Sequence, residues 1–141
     1  MTIDFSEINF LAVLVAGLAT FMLGGIWYMA LFGKLWMKLN GYSEEKMKEM
    51  QARIPPPLFF GGMIVCDLVI ALVVAILAAA LKVSTPAGGA LLGFLIWLGP
   101  AAAIRMTSHL ASDRHFGLYF IDISYQLVYL VMMGAILGGW R

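Results

Sequence analysis

The sequence predicts an all-α membrane protein, a four-transmembrane-helix bundle with a short interfacial helix in loop one. Composition predicts the class: of 141 residues, 62% are hydrophobic and 12% charged, too little polar material to cover a soluble globule. Run length predicts the number of helices. Four apolar stretches, about 8–32, 58–81, 86–110 and 117–140, each provide the roughly 20 residues needed to cross a hydrocarbon core at about 1.5 Å per residue. Spans and short connections take up nearly the whole chain, so residues 1–141 read as one integral membrane domain. Within these residues no separate soluble catalytic domain is expected, and any chemistry they carry is expected in the bundle or at its rim.

The opening MTIDFSEINFLAVLVAGLATFMLGG carries Asp4 and Glu7 where a signal peptide would be basic, so the first span is expected to be retained. Within it Ala12, Ala16, Thr20 and Gly24 recur every four residues, a stripe that lets another helix approach closely.

Loop one, GKLWMKLNGYSEEKMKEMQARIPPP, is the one sizeable extramembrane piece. Lys34, Trp36 and Lys38 suit an interfacial belt, with the indole at headgroup depth. Ser43 is placed to cap a helix whose first turn holds Glu44 and Glu45, and Met47, Met50 and Ile54 then follow at helical spacing. That pattern predicts a short amphipathic helix on the membrane surface, ended by Pro55 to Pro57. The loop reads either as a solvated anchor or as a surface for membrane lipid or a partner.

Span two contains GGMIVCDLVIALVVAILAAAL, apolar except for Asp67. Cys66 is the single cysteine, so no intramolecular disulfide is available. Span three holds Gly89 and Gly93 on one face and then Gly99–Pro100, a helix breaker one turn before Arg105 that frees a carbonyl near residue 96. This is an ordinary kink or a discontinuous helix of the kind transporters use. Loop three brings His109, Ser112, Asp113 and His115 near one another, too few ligands for a metal site. His109 is expected at the interface, and His115 packed or facing solvent. Span four carries Asp122, Tyr125, Gln126 and Tyr129 at i, i+3, i+4 and i+7, one helical face that must look inward. It ends with Gly134 and Gly138 on one side. Packing stripes on three spans, Ala16, Thr20 and Gly24, Gly89 and Gly93, and Gly134 and Gly138, serve the bundle, and a surplus one is expected to form a homo-oligomer.

Charge placement predicts orientation. Lys34, Lys38, Lys46, Lys48 and Arg53 in loop one, with Arg105 and Arg114 at loop three, stand against Lys82 and Arg141 on the other face. Loops rich in Lys and Arg stay in the cytoplasm, so both termini are expected outside, in a bacterial inner membrane. Counting from the cytoplasmic edge puts Asp67 and Gln126 at roughly 14 Å and Arg105 and Asp122 at roughly 8 Å. Arg105 and Asp122 are the expected ion pair, and Asp67 is within reach of a hydrogen bond to Gln126. One acid is then in surplus, and is protonated, faces a wet cavity or binds a cation.

Ionisable groups at this depth cost a few kcal/mol or more each and mark either function or a packing constraint. The candidate polar site is Asp67, Arg105, Asp122, Gln126, Tyr125 and Tyr129. Its structural reading is a register-fixing ion pair beside a protonated Asp67 bonded to Gln126. Its functional readings are a water-accessible site for a small-molecule solute, an ion or a proton, and a groove for an amphiphile at the rim. The chain has no HExxH, phosphate-binding glycine loop, nucleophile elbow or CxxC, and GGIWYMALFG lacks the soluble helix that a nucleotide site needs. No catalytic residue is singled out; a small membrane enzyme acting on an amphiphile stays open as a third reading, and needs an open groove beside Arg105 and Tyr125. No metal or cofactor is expected. Nor is nucleic acid, since Glu44, Glu45 and Glu49 interrupt the basic loop.

Three segments, INFLAVLVAGLATFMLGGIWYMALFGKLWMKLNG, GALLGFLIWLG and YQLVYLVMMGAILGGW, together resemble the bacterial and fungal membrane family known as domain of unknown function 1761. The resemblance implies a compact four-helix integral membrane protein and carries over no activity, cofactor or catalytic residue. The expected function is permeation or transport through a polar site in the bundle or an oligomer. The alternative is a non-catalytic membrane-organising or accessory protein that meets lipid or a partner.

Overall fold

The computed structural model describes residues 4–140. Four helices in it are long and apolar enough to cross a membrane: span one Phe10–Leu31, span two Pro56–Ala80, span three Pro86–Leu110 and span four Phe116–Gly139. The chain thus has the make-up of a multi-pass membrane protein, and its helices pack as a bundle.

Polar residues at the ends explain where each span starts. Asn9 accepts from the Ala12 amide at 3.1 Å, and Thr85 from the Gly88 amide at 3.1 Å. His115 caps span four through Nδ1, which accepts from the Gly117 amide at 2.9 Å. Span two starts on prolines, whose missing amide proton costs nothing in a first turn.

Loop one contains two helices where the sequence suggested one. Gly33–Asn40 ends at Gly41, whose φ of 69° is the left-handed conformation that glycine adopts without steric cost. Glu44–Arg53 follows, capped by Ser43 as expected, with the Lys46 amide 3.2 Å from Ser43 Oγ. The belt residues Lys34, Trp36 and Lys38 lie on the first of these helices, and the Trp36 ring turns inward onto Tyr28.

Two spans widen into π-helical turns. In span one these cover Ile26–Leu31, and the Phe32 amide reaches back five residues to the Trp27 carbonyl at 2.8 Å. In span three they cover Trp97–Ala103, around Pro100, which supplies no amide proton of its own. The predicted interruption is therefore a widened helix that continues to Leu110. Within these widened turns the Ala102 carbonyl takes a side chain from another span, accepting from the Tyr119 hydroxyl at 3.1 Å.

Span four is the hub and contacts the other three. Against span three it packs backbone to backbone: a Cβ on Gly89 would lie 2.7 Å from the Gly134 carbonyl carbon, and Gly93 and Gly138 are as closely covered. Span one buries Ala12, Ala16 and Thr20 completely, and Gly17 lies against Leu68 of span two. Gly24 lies under the Tyr125 hydroxyl, which a Cβ there would meet at 2.8 Å. All three small-residue stripes are thus used inside the chain, and none is left as a ground for the expected homo-oligomer. Spans two and three barely touch. A gap opens between them toward loops one and three, while Val74, Leu130, Met133 and Leu137 close the opposite half as an apolar core.

Candidate functional site

Asp122 anchors the site. It pairs with Arg105 as the sequence predicts, and its Oδ1 also accepts from the Tyr28 hydroxyl at 2.6 Å. Two indoles hold the backbone on either side of it: Trp27 Nε1 donates to the Ile121 carbonyl at 3.2 Å and Trp97 Nε1 to the Ile123 carbonyl at 2.9 Å. Both tryptophans belong to the π-helical turns, so the widened segments of spans one and three grip span four where its charge lies. The pair is unevenly solvated, with the Arg105 side chain 40% exposed and that of Asp122 10%. The arginine side chain is therefore reachable from the spaces it lines, while the carboxylate is enclosed.

Asp67 is buried, at 6% exposure. The expected bond to Gln126 does not form: Asp67 Oδ2 and Gln126 Oε1 are both buried without a hydrogen-bond partner. Three of the nearby donors are committed elsewhere, while the Tyr129 hydroxyl and the Gln126 amide, which also line the gap here, make no hydrogen bond to Asp67. Tyr28 and Arg105 serve Asp122, and the Tyr125 hydroxyl donates to the Thr20 carbonyl at 3.2 Å. A buried acceptor without a donor costs about 1–3 kcal/mol, more when charged, so this arrangement calls for a proton or for a donor, supplied by rotation of Tyr129 or Gln126 or by a ligand in the cleft.

The gap between spans two and three forms a cleft of about 380 Å³. Its walls bring together all six residues chosen from sequence, Asp67, Arg105, Asp122, Tyr125, Gln126 and Tyr129, and add Tyr28, Trp36, Met63 and Cys66. A second basin, of about 440 Å³, lies toward loop three and shares Arg105, Asp122 and Gln126 with the first. The ion pair thus stands between the two spaces. Arg114, Ser108, Ser112 and His109 line the outer one. A third groove of about 210 Å³, between spans one and two, is walled by Phe21, Met22, Phe59, Phe60 and Met63 and shares Tyr28, Met63, Asp67 and Tyr125 with the cleft.

The histidines part company. His109, expected at the interface, is buried against Phe116 and Tyr119 at ring distances of 4.7 and 5.6 Å, and its Nε2 has no partner. His115 is the cap of span four. Among the described residues no group of three or more His, Cys, Asp or Glu is placed to hold a metal ion.

Sequence reasoning missed Tyr28, Trp27, Trp36 and Trp97. Tyr28 is three residues from the end of span one and Asp122 six from the start of span four, so a count of depth applied to aromatic residues would have placed Tyr28 in the same half of the bundle but not at the same level.

The family model for protein of unknown function DUF1761 matches residues 11–138. The chain belongs to that family. The match runs from span one through span four, so the DUF1761 region contains the whole cleft. Comparison with curated proteins and with solved structures found no match. The chemistry of this DUF1761 site must therefore be read from its own geometry: two carboxyl groups and one guanidinium beside an aromatic wall.

Proposed function

We propose that this DUF1761 protein is a small permeation or transport protein that admits a solute, an ion or a proton to Asp67 from the side of loops one and three. One observation carries the reading: a buried carboxylate in the middle of a span has no partner in the chain and faces an open cleft. A register-fixing role is already filled by the Arg105–Asp122 pair with Tyr28, and Asp67 adds nothing to it. The outer basin serves as vestibule, and the ion pair, common to both spaces, as the element a solute must pass. The positive-inside rule makes that side cytoplasmic, with both termini outside and the bacterial inner membrane as the setting. Because the opposite half is closed by an apolar core, passage requires spans two and three, which barely touch, to move relative to each other.

Proton and alkali-cation flux in proteoliposomes tests this. Asp67→Asn is expected to lower the flux about tenfold or more, the effect of withdrawing a charge worth about 1.4 kcal/mol or more to the passing species. Equal flux in wild type and Asp67→Asn contradicts the reading.

One observation favours the accessory alternative. Met47, Met50 and Ile54 line an apolar groove with Pro56 and Phe59, as a lipid-facing helix would. On that reading, exchanging Lys46, Lys48 and Arg53 for Gln abolishes retention of anionic lipid and leaves flux unchanged.

A further inference from the structure

The inner cleft carries information about its ligand. Tyr28, Tyr125 and Tyr129 form a continuous aromatic wall, with ring centroids 5.3 Å apart for the first pair and 5.0 Å for the second, and Trp36 extends it 6.2 Å beyond Tyr28. Aromatic faces attract cations, more strongly where water is scarce. Beside the wall sit two buried acceptors without donors, Asp67 Oδ2 and Gln126 Oε1. The one cation on the cleft, Arg105, is neutralised by Asp122. A ligand suited to these groups brings positive charge and N–H donors. Adjoining the cleft at Asp67, the groove between spans one and two is walled by Phe and Met side chains and offers almost nothing polar apart from Asp67 and the two tyrosines it shares with the cleft.

Resting on the reading of the cleft given above, we propose that the site takes an organic primary ammonium ion with an apolar tail. The nitrogen donates to Asp67 and lies against Tyr125 and Tyr129, and the tail occupies the groove between spans one and two. A carboxylate ligand would bring acceptors to acceptors that already lack donors, and a neutral alcohol would leave an ionised Asp67 without a counter-charge. A quaternary ammonium ion would keep the cation–aromatic attraction and lose the N–H donors.

The test is saturable binding to the full chain in phosphatidylcholine nanodiscs, followed by tryptophan fluorescence, with octylammonium, octyltrimethylammonium, octanol and octanoate as probes. Octylammonium is expected to bind about tenfold or more tightly than octanol, with octyltrimethylammonium between them, and Asp67→Asn to remove that advantage. Tyr129→Leu, which leaves Asp67 in place, is expected to weaken both cations by about threefold to tenfold and octanol little. Competition by phosphatidylethanolamine would identify the ammonium as that of an aminolipid, and its absence as that of a free amine. Equal affinity for octanol and octylammonium, or an unchanged preference in a folded Asp67→Asn protein, overturns the proposal. Charged-maleimide labelling of Cys66 separates the two ideas: labelling without ammonium selectivity defeats the ligand class alone, whereas a cleft closed to water defeats the underlying reading too.

Discussion

At Asp122 two side chains from two other helices meet one carboxylate, and the consequences of removing each differ. Tyr28→Phe deletes one hydrogen bond to a charged acceptor and should cost about 1–2 kcal/mol, visible as a lower unfolding temperature in detergent. Asp122→Ala leaves Arg105 without a counter-charge and should cost more, about 2–4 kcal/mol, held below the fully buried limit because the guanidinium is partly solvated. Replacing both members together, Arg105→Met with Asp122→Leu, should recover most of that loss, because no charge is then left unpaired. A double variant as unstable as Asp122→Ala would mean that the pair does more than balance charge. The Arg105–Asp122 pair was legible in sequence because depth follows from counting residues from span ends. Tyr28 was not, because aromatic residues near membrane interfaces are common enough to pass as belt residues. The missing Asp67–Gln126 bond has the same origin: equal depth says two groups share a level, and says nothing of the gap between their helices.

The helices show where periodicity succeeds and where it stops. The face of Asp122, Tyr125, Gln126 and Tyr129 was read correctly from a 3.6-residue repeat because span four is regular throughout. Spans one and three are not. Their π-helical turns, which begin at Ile26 and Trp97, shift the residues that follow around the axis, so a 3.6-residue repeat does not carry through either span. Glycine spacing located the contact of spans three and four, but could not say that the stripes face each other rather than a second chain. That contact yields a contrast. Gly89→Val and Gly134→Val should destabilise by several kcal/mol or abolish folding, since each side chain would enter the opposing backbone, within the severe range for overpacking. Gly61→Ala lies in open space within a helix, and should be neutral or stabilise by up to about 1 kcal/mol. Similar losses at Gly61 and Gly89, read from thermal unfolding in detergent, would contradict the packing described.

For the whole molecule, composition and run length made the four-span architecture legible, while the cleft was not, because it arises from the failure of spans two and three to meet. The account rests on that gap being wet and open toward the basic loops. Cys66 is the only cysteine in the chain, is exposed, and lines the cleft one residue before Asp67. The measurement is its rate of modification by a charged, membrane-impermeant maleimide added to either side of sealed vesicles. The account predicts labelling from the side of loops one and three only, slowed by octylammonium. If the charged reagent labels from neither side while an apolar maleimide reacts freely, the cleft opens to lipid rather than water, and Asp67 is no part of a solute path.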